Sequence, residues 1–165
     1  MKILTVVCMV VLLSPVTVLA QVESPGAARG PEFRQSVFGL GVFGGAATGL
    51  GLSFRHHLPS SVSYQIVGGV ISTSEKLSFD LGMQMQYDLM RSQSTRFYAG
   101  GGLAYFFSGK SGGENTMAGP GRLGLGIGGE FITDADFSAS LELMFTYFTD
   151  GTILPLPQCG VHYYF

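Results

Sequence analysis

The chain has 165 residues, a length typical of one domain, and its formal net charge of −2 at pH 7, with no basic block, excludes binding to nucleic acid through a basic surface. Only 12% of the residues are charged, about half of the roughly 25% expected in a soluble domain, so the chain is poorly supplied for a water-facing surface. Beyond residue 20, no stretch approaches the ~18 consecutive apolar residues that a membrane helix needs.

Residues 1–20 have the features of a cleavable secretory signal peptide. Lys2 precedes an apolar run at residues 3–13, and Ala20 offers a cleavage position. A single transmembrane anchor is the alternative interpretation, but Pro15 and its polar neighbours end the apolar run short of membrane length. We therefore expect export through the inner membrane.

Residues 21–35 combine two prolines and two glycines with no apolar period, which indicates a flexible periplasmic leader. The domain proper is expected to span residues 36–165. Export leaves Cys159 as the remaining cysteine, so no internal disulfide can form and the domain must be stable without one.

From residue 36 onward, apolar residues alternate with polar or small residues, which is the period of a β-strand. The clearest case is residues 76–89, where one face carries only apolar residues or tyrosine and the other carries none. Eight segments are predicted as strands: 36–44, 48–57, 61–72, 75–89, 96–108, 120–132, 137–148 and 157–165. Among the connections, 44–49 and 72–75 are short, whereas 109–119 and 149–156 are longer and lie on the same side of an up-and-down arrangement.

The alternation fits two architectures, a soluble barrel with its apolar face inside and a membrane barrel with that face toward lipid. The face of glycine, serine and glutamine is too weakly charged for a soluble surface, but it suits the narrow interior of an eight-stranded barrel. The outward aromatic residues are also predicted to form two girdles around an aliphatic belt, as two membrane interfaces select. One girdle comprises Phe38, Phe54, Tyr64, Tyr87, Phe97, Phe131, Phe137, Tyr163 and Phe165, and the other comprises Phe79, Tyr105, Phe107, Phe145 and Tyr147. The sequence thus predicts an all-β, eight-stranded antiparallel up-and-down transmembrane β-barrel, in which the last strand pairs with the first.

A family resemblance rests on the signal peptide, the eight alternating strands and the final segment GVHYYF. Together they resemble the small outer-membrane β-barrels of the OmpX and OmpA-transmembrane-domain kind, over residues 36–165. The resemblance implies a location in the outer membrane of a Gram-negative-type bacterium, in contact with the lipid bilayer and lipopolysaccharide. It also implies that Val161, Tyr163 and Phe165 form the C-terminal signal read by the barrel assembly machinery, with periplasmic chaperones as further partners during biogenesis. We expect a monomer without cofactors.

Ionisable residues on the predicted lumen face are expected to form a hydrogen-bonded ion network, because charges at membrane depth are costly unless they are paired. They are Arg55, Asp80, Asp88, Arg122, Glu130 and Glu142. Such a network would plug and rigidify the barrel, and a narrow ion path is the alternative.

An enzymatic alternative is a lipid A-modifying enzyme of the deacylase or acyltransferase type. His162 is predicted to point inward near Ser138 or Ser140, with Glu130 or Glu142 on nearby strands, which supplies the residue types of a catalytic triad. Barrel enzymes of that kind, however, carry their catalytic residues at the opposite, outer end. We therefore expect no catalytic residues.

No metal site is predicted either, because His56 and His57 are adjacent on a strand and point to opposite faces. The function favoured by the sequence is that of a non-enzymatic integral outer-membrane barrel. Its structural or surface-interaction role would use the longer connections at 109–119 and 149–156. An exported soluble barrel that carries a lipophilic ligand is a further alternative.

Overall fold

The computed structural model describes residues 36–73, 76–92, 94–110, 113–133 and 136–165. The predicted signal peptide at 1–20 and the predicted leader at 21–35 lie outside the described residues. Within the described residues, no helix is long and apolar enough to cross a membrane.

Eight antiparallel strands form a closed barrel in chain order, β1 to β8, and β8 pairs with β1. The strands are β1 (Val37–Gly45), β2 (Gly49–His57), β3 (Val62–Ser72), β4 (Leu77–Arg91), β5 (Thr95–Gly109), β6 (Gly121–Ile132), β7 (Phe137–Phe148) and β8 (Ile153–Tyr164). The predicted all-β, up-and-down eight-stranded barrel is therefore confirmed. We call the end of the barrel near Val37 and Phe165 the terminal end, and the opposite end the far end.

The apolar face of each strand points outward and the polar face points into the lumen. Leu52 and Leu125 are 76% and 72% exposed on the outside, although both lie in the middle of a strand. On the inside, charged residues such as Arg55 and Glu130 are fully buried. The hydrophobic effect alone would favour the opposite arrangement in water, so the outer surface is suited to an apolar surrounding.

Phe165 takes part in the closure of the barrel. The backbone amide of Phe165 donates to the carbonyl oxygen of Phe38 at 2.9 Å, and the amide of Phe38 donates back at 3.4 Å. Their rings lie 6.4 Å apart between centroids, in a stacked arrangement on the outer face. Phe165 therefore completes the pairing of the last strand with the first.

The predicted loop at 149–156 is wrong, because β8 begins at Ile153 and the connection is limited to residues 149–152. The strand includes Pro155 and Pro157, although proline cannot donate a ladder hydrogen bond. At both prolines the missing amide would point toward β1, but β1 has already ended at this level, so no ladder hydrogen bond is lost.

In the connection between β7 and β8, the Thr152 amide donates to the carboxylate of Asp150 at 2.9 Å. This hydrogen bond holds the pKa of Asp150 below its ordinary value. The tight turn leaves little exposed loop at this position.

The connection between β1 and β2 also differs from a surface loop. Ala47 and Thr48 are fully buried, and they lie inside the barrel rather than above it. Positive φ angles at Gly49 and Gly51, 105° and 146°, allow the chain to bend inward as β2 begins. We call residues 46–48 the inward turn.

Candidate functional site

A network of polar and charged side chains fills the part of the lumen nearest the terminal end. Its centre is Arg55 on β2, whose Nη1 lies 2.7 Å from Oε1 of Glu130 on β6. The Arg55 Nε also donates to Oε1 of Gln65 at 2.7 Å, and the Tyr164 hydroxyl donates to the same Glu130 oxygen. The network thus links β2, β3, β6 and β8 through side chains.

Arg96 on β5 extends this network to a second carboxylate. Its Nη2 lies 2.8 Å from Oε2 of Glu130, and its Nη1 lies 3.0 Å from Oδ1 of Asp88. The same guanidinium donates to Gln86 at 2.6 Å and to Ser63 at 2.9 Å. Because a buried charge without partners is costly, two arginines that share Glu130 and several neutral acceptors keep that cost low.

Glu142 on β7 is the centre of a second cluster, at the middle of the lumen. Its Oε1 accepts from the Tyr98 hydroxyl at 2.7 Å, and its Oε2 accepts from Nε2 of Gln84 at 2.8 Å. Gln86 donates more weakly, at 3.4 Å, and connects this cluster with Arg96. Neutral donors therefore satisfy this carboxylate.

The inward turn occupies the lumen on the far side of Glu142. The Thr48 hydroxyl donates to Oε1 of Gln158 at 2.7 Å. A Cβ added to Gly124 would lie 2.3 Å from Cβ of Ala47, and one added to Gly82 would lie 2.3 Å from the carbonyl oxygen of Thr48. Such distances are far inside van der Waals contact, so only glycine leaves room for the turn.

Asp80 and Arg122 lie beyond the inward turn, toward the far end. The guanidinium carbon of Arg122 lies 5.2 Å from the ring centroid of Phe106 and 5.5 Å from that of Phe148. Its Nη1 donates to the carbonyl oxygen of Ala46 at 3.4 Å. No ion pair joins Asp80 to Arg122 in the described part of the chain.

The structure therefore divides the six predicted lumen residues among three positions. Arg55, Glu130 and Asp88 meet in the network near the terminal end. Glu142 lies in the middle, and Asp80 and Arg122 lie beyond the inward turn.

Two arginines in the network were missed from the sequence. Arg96 could have been recovered, because the alternation that places Phe97 outside places its neighbour inside. Arg91 could not, because a bulge between Asp88 and Met90 reverses the alternation at the end of β4. Its Nη2 thereby lies 2.6 Å from Oδ2 of Asp88.

The catalytic triad considered as the enzymatic alternative does not form around His162. His162 lies opposite Ser138 in the β7–β8 register, as predicted. Its Nε2, however, lies 2.8 Å from the hydroxyl of Ser53 on β2, and both partners are buried. The other ring nitrogen, Nδ1, has no hydrogen-bond partner among the described residues. An imidazole without an orienting acid, closed off from solvent, does not meet the geometry of an activated serine.

His56 and His57 lie on opposite faces of β2. His57 points into the lumen, where its Nε2 lies 2.8 Å from the Tyr164 hydroxyl. His56 stacks on Phe38 on the outside, with 4.2 Å between the ring centroids. Residues 36–165, apart from the few positions that the structure does not describe, contain no group of three or more histidine, cysteine, aspartate or glutamate side chains placed to hold a metal ion.

Comparison with known proteins gives little beyond this geometry. No family model matches the chain, and no curated protein matches it. Among solved structures, the chain is similar to the backbone structure of the Yersinia pestis outer membrane protein Ail in a phospholipid bilayer nanodisc. The sequence identity is 11%, the TM-score is 0.49, and the aligned region covers 79% of this chain and 98% of that one.

Proposed function

We propose that this protein is a non-enzymatic integral barrel of the outer membrane of a Gram-negative-type bacterium, with a plugged lumen and a structural or surface-interaction role. The observation that carries the proposal is the inverted distribution of side chains in a closed barrel, apolar outside and charged inside. In hydrocarbon, closure of the barrel satisfies the ladder hydrogen bonds wherever neighbouring strands pair, and the apolar outer face meets lipid.

The position of the outward aromatic residues supports the same environment. Near the terminal end, Phe137 and Tyr163 pack against each other with 5.1 Å between ring centroids. Near the far end, Phe79 and Phe107 stack at the same centroid separation, 5.1 Å. Aliphatic residues occupy the surface between the two groups, which is the pattern of two membrane interfaces.

A soluble barrel that carries a lipophilic ligand would need an apolar lumen. The described lumen is instead filled by arginine, glutamate, glutamine and histidine side chains and by the inward turn. These residues support the interpretation of the interior as a rigid polar plug.

The connection between β5 and β6, residues 110–120, is the longest between strands and a candidate contact surface at the outer face. Asn115 anchors it to β5, since its Nδ2 donates to the carbonyl oxygen of Phe106 at 2.9 Å and its Oδ1 accepts from the Ser108 amide at 3.1 Å. A segment anchored in this way loses less entropy when it binds a partner.

The mobility of boiled and unboiled outer-membrane fractions on detergent gels tests the membrane proposal. Closed membrane barrels hold their compact shape in detergent until they are heated, because their ladder hydrogen bonds are satisfied internally. A compact unboiled band that shifts on boiling is expected. Recovery of the protein in the soluble periplasmic fraction, without a shift, would contradict the proposal.

Replacement of residues 110–120 by a short glycine and serine linker tests the surface role. Cells that carry the variant should lose any surface binding shown by cells with the unchanged protein, while the heat-shifted band persists. Binding that survives in a folded variant would exclude this loop as the contact surface.

A further inference from the structure

The barrel wall is incomplete at the far end, where β1 and β2 are short. Pairing of β8 with β1 ends at Cys159 and Gly44, so Ile153–Gln158 of β8 have no neighbouring strand on that side. Pairing of β3 with β2 likewise ends at Gly68 and Leu52, although β3 continues to Ser72. We call the resulting gap between β8 and β3 the notch.

The notch opens within the aliphatic part of the outer surface. The outward residues at the far end of the short hairpin are Val42, Leu50 and Leu52, all exposed and none aromatic. The longer strands extend further toward the far end, and their outward residues there include aromatic ones, for example Tyr105 and Tyr147. Because aromatic residues mark the membrane interface, the hairpin ends on the aliphatic side of it, and the notch extends from there to the level of Tyr147, where the upper part of an acyl chain lies.

Apolar side chains face the notch from the lumen side. Leu154 and Leu156 share the face of β8 whose other members are buried in the lumen, yet Leu154 is 43% exposed. Across the gap, Ile71 is on the lumen face of β3 and is 64% exposed. Inward apolar residues with this exposure leave an apolar surface without a partner.

The edge of β8 at the notch presents few backbone donors. The amide of Phe165 donates to Phe38 on β1. Because backbone amides alternate in direction along an antiparallel strand, the amides of the odd-numbered residues of β8 point toward the β1 side. Two of the positions that would present an amide to the notch are Pro155 and Pro157, which have none. An added strand would need those donors, whereas an acyl chain needs none and would be disfavoured by unsatisfied ones.

We propose that the notch is a lateral site for an acyl chain of an outer-leaflet lipid, which enters between β8 and β3 and packs on Leu154, Leu156 and Ile71 above the inward turn. The inference rests on the proposed membrane location. It assigns the short β1–β2 hairpin a role in lipid contact rather than in surface recognition.

Single-tryptophan variants test this site cleanly, because the chain contains no tryptophan. The variants are Leu154→Trp at the notch, Leu123→Trp on the outer face of β6, and Phe106→Trp on the lumen face of the intact wall. Each is refolded into vesicles of phosphatidylcholine brominated in the upper part of one acyl chain. Quenching of Leu154→Trp as strong as that of Leu123→Trp, and clearly stronger than that of Phe106→Trp, is expected.

Three outcomes overturn parts of the proposal separately. Quenching of Leu154→Trp by aqueous iodide but not by brominated lipid would show a water-filled notch. Equal quenching of Leu154→Trp and Phe106→Trp would show that no chain enters. Absence of lipid quenching at Leu123→Trp would refute the membrane location itself.

A measurement on the unchanged sequence decides the matter if Leu154→Trp fails to fold. In lipid nanodiscs, nuclear Overhauser effects are expected between acyl methylene protons and the methyl groups of Ile71 and Leu154. Val67, which is fully buried in the lumen on β3, serves as the internal control and should show none. Methyl groups of Ile71 and Leu154 that contact only water would overturn the proposal.

Discussion

Arg55 on β2 and Glu130 on β6 form a salt bridge across the barrel, with 2.7 Å between Nη1 and Oε1. These strands lie four positions apart in a ring of eight, so no backbone ladder connects them. Side chains therefore hold opposite walls together at a fixed separation. In a barrel whose outer surface gains little from burial against lipid, such internal ties can contribute much of the stability.

Glu130→Gln should destabilise the barrel strongly. The substitution keeps the shape of the side chain but leaves Arg55 and Arg96 facing each other without the shared carboxylate. Removal of one partner of a buried ion pair costs about 3–5 kcal/mol. Urea unfolding in phospholipid vesicles, followed by the compact gel band, measures the change. The matched control is Glu114→Gln on the exposed loop, which should unfold as the unchanged protein does.

Gly124→Ala should be destabilising because the added Cβ would overlap the inward turn. The overlap involves Cβ of Ala47, at 2.3 Å, and overpacking of this kind costs about 1–3 kcal/mol. The same urea titration applies, with Gly68→Ala as the control, since a Cβ there meets nothing closer than 3.7 Å.

The second substitution Ala47→Gly should restore most of the stability lost in Gly124→Ala, because it removes the atom that is overlapped. A double variant no more stable than Gly124→Ala alone would show that the turn does not occupy the lumen. Recovery in the double variant would show that Gly124→Ala acts through its contact with the inward turn. A general intolerance of β6 to larger side chains would predict no recovery.

Replacement of Pro157 in β8 should leave the pairing of the strands intact, whereas a proline introduced at position 159 should disrupt the pairing of β8 with β1. Pro157→Ala breaks no ladder hydrogen bond, because its edge has no neighbouring strand, and the added amide changes the apolar character of the notch rather than the pairing of the strands. Cys159→Pro removes an amide opposite Gly44 in the β1–β8 ladder, and a lost ladder bond in lipid costs several kcal/mol. Refolding yield measured by the heat-shifted band compares them. Similar yields for the two variants would argue against the edge assignment.

The barrel and the sidedness of its strands were predictable from the sequence because alternation with a period of two is a local property. The inward turn was not, because Gly82, Gly102 and Gly124 are distant in the chain and only the closed barrel brings them around Ala47 and Thr48. The start of β8 was misplaced for a related reason. Whether Pro155 interrupts a strand depends on whether a neighbour is present, and that neighbour, β1, ends early.

The ion network was predictable only in part. Charges on the lumen face identify candidates, but alternation cannot say which of them meet across the barrel. The pairing of Arg55 with Glu130 depends on the register of all the intervening strands. Arg91 joins the network only because the bulge in β4 turns it inward.

Planar-bilayer recordings of the purified barrel should show no reproducible unitary conductance. The network at the terminal end, the Glu142 cluster and the inward turn fill successive parts of the lumen. An ion would have to displace hydrogen-bonded side chains at each position, which is unfavourable in a medium of low dielectric constant. A steady unitary current that disappears in Arg122→Ala would show that the lumen conducts and that Arg122 lines its path.

Phe165→Ser should lower the amount of assembled barrel more than an equivalent change elsewhere in the same girdle. The proposed role of Val161, Tyr163 and Phe165 as an assembly signal predicts slower insertion by the barrel assembly machinery. The structure adds a second contribution, because the Phe165 ring stacks on Phe38 at the strand pair that closes the barrel.

Phe131→Ser is the matched control, since it removes another exposed, outward phenylalanine at the terminal end without touching the closing pair. Outer-membrane levels of both variants, measured by the heat-shifted band, are compared with their refolding yields in vesicles. A defect of Phe165→Ser in cells that is absent in vesicles indicates a recognition signal, because spontaneous refolding does not use the assembly machinery. A defect of equal size in both settings would assign Phe165 to barrel closure alone, and equal behaviour of the two variants would exclude any special role for the last residue.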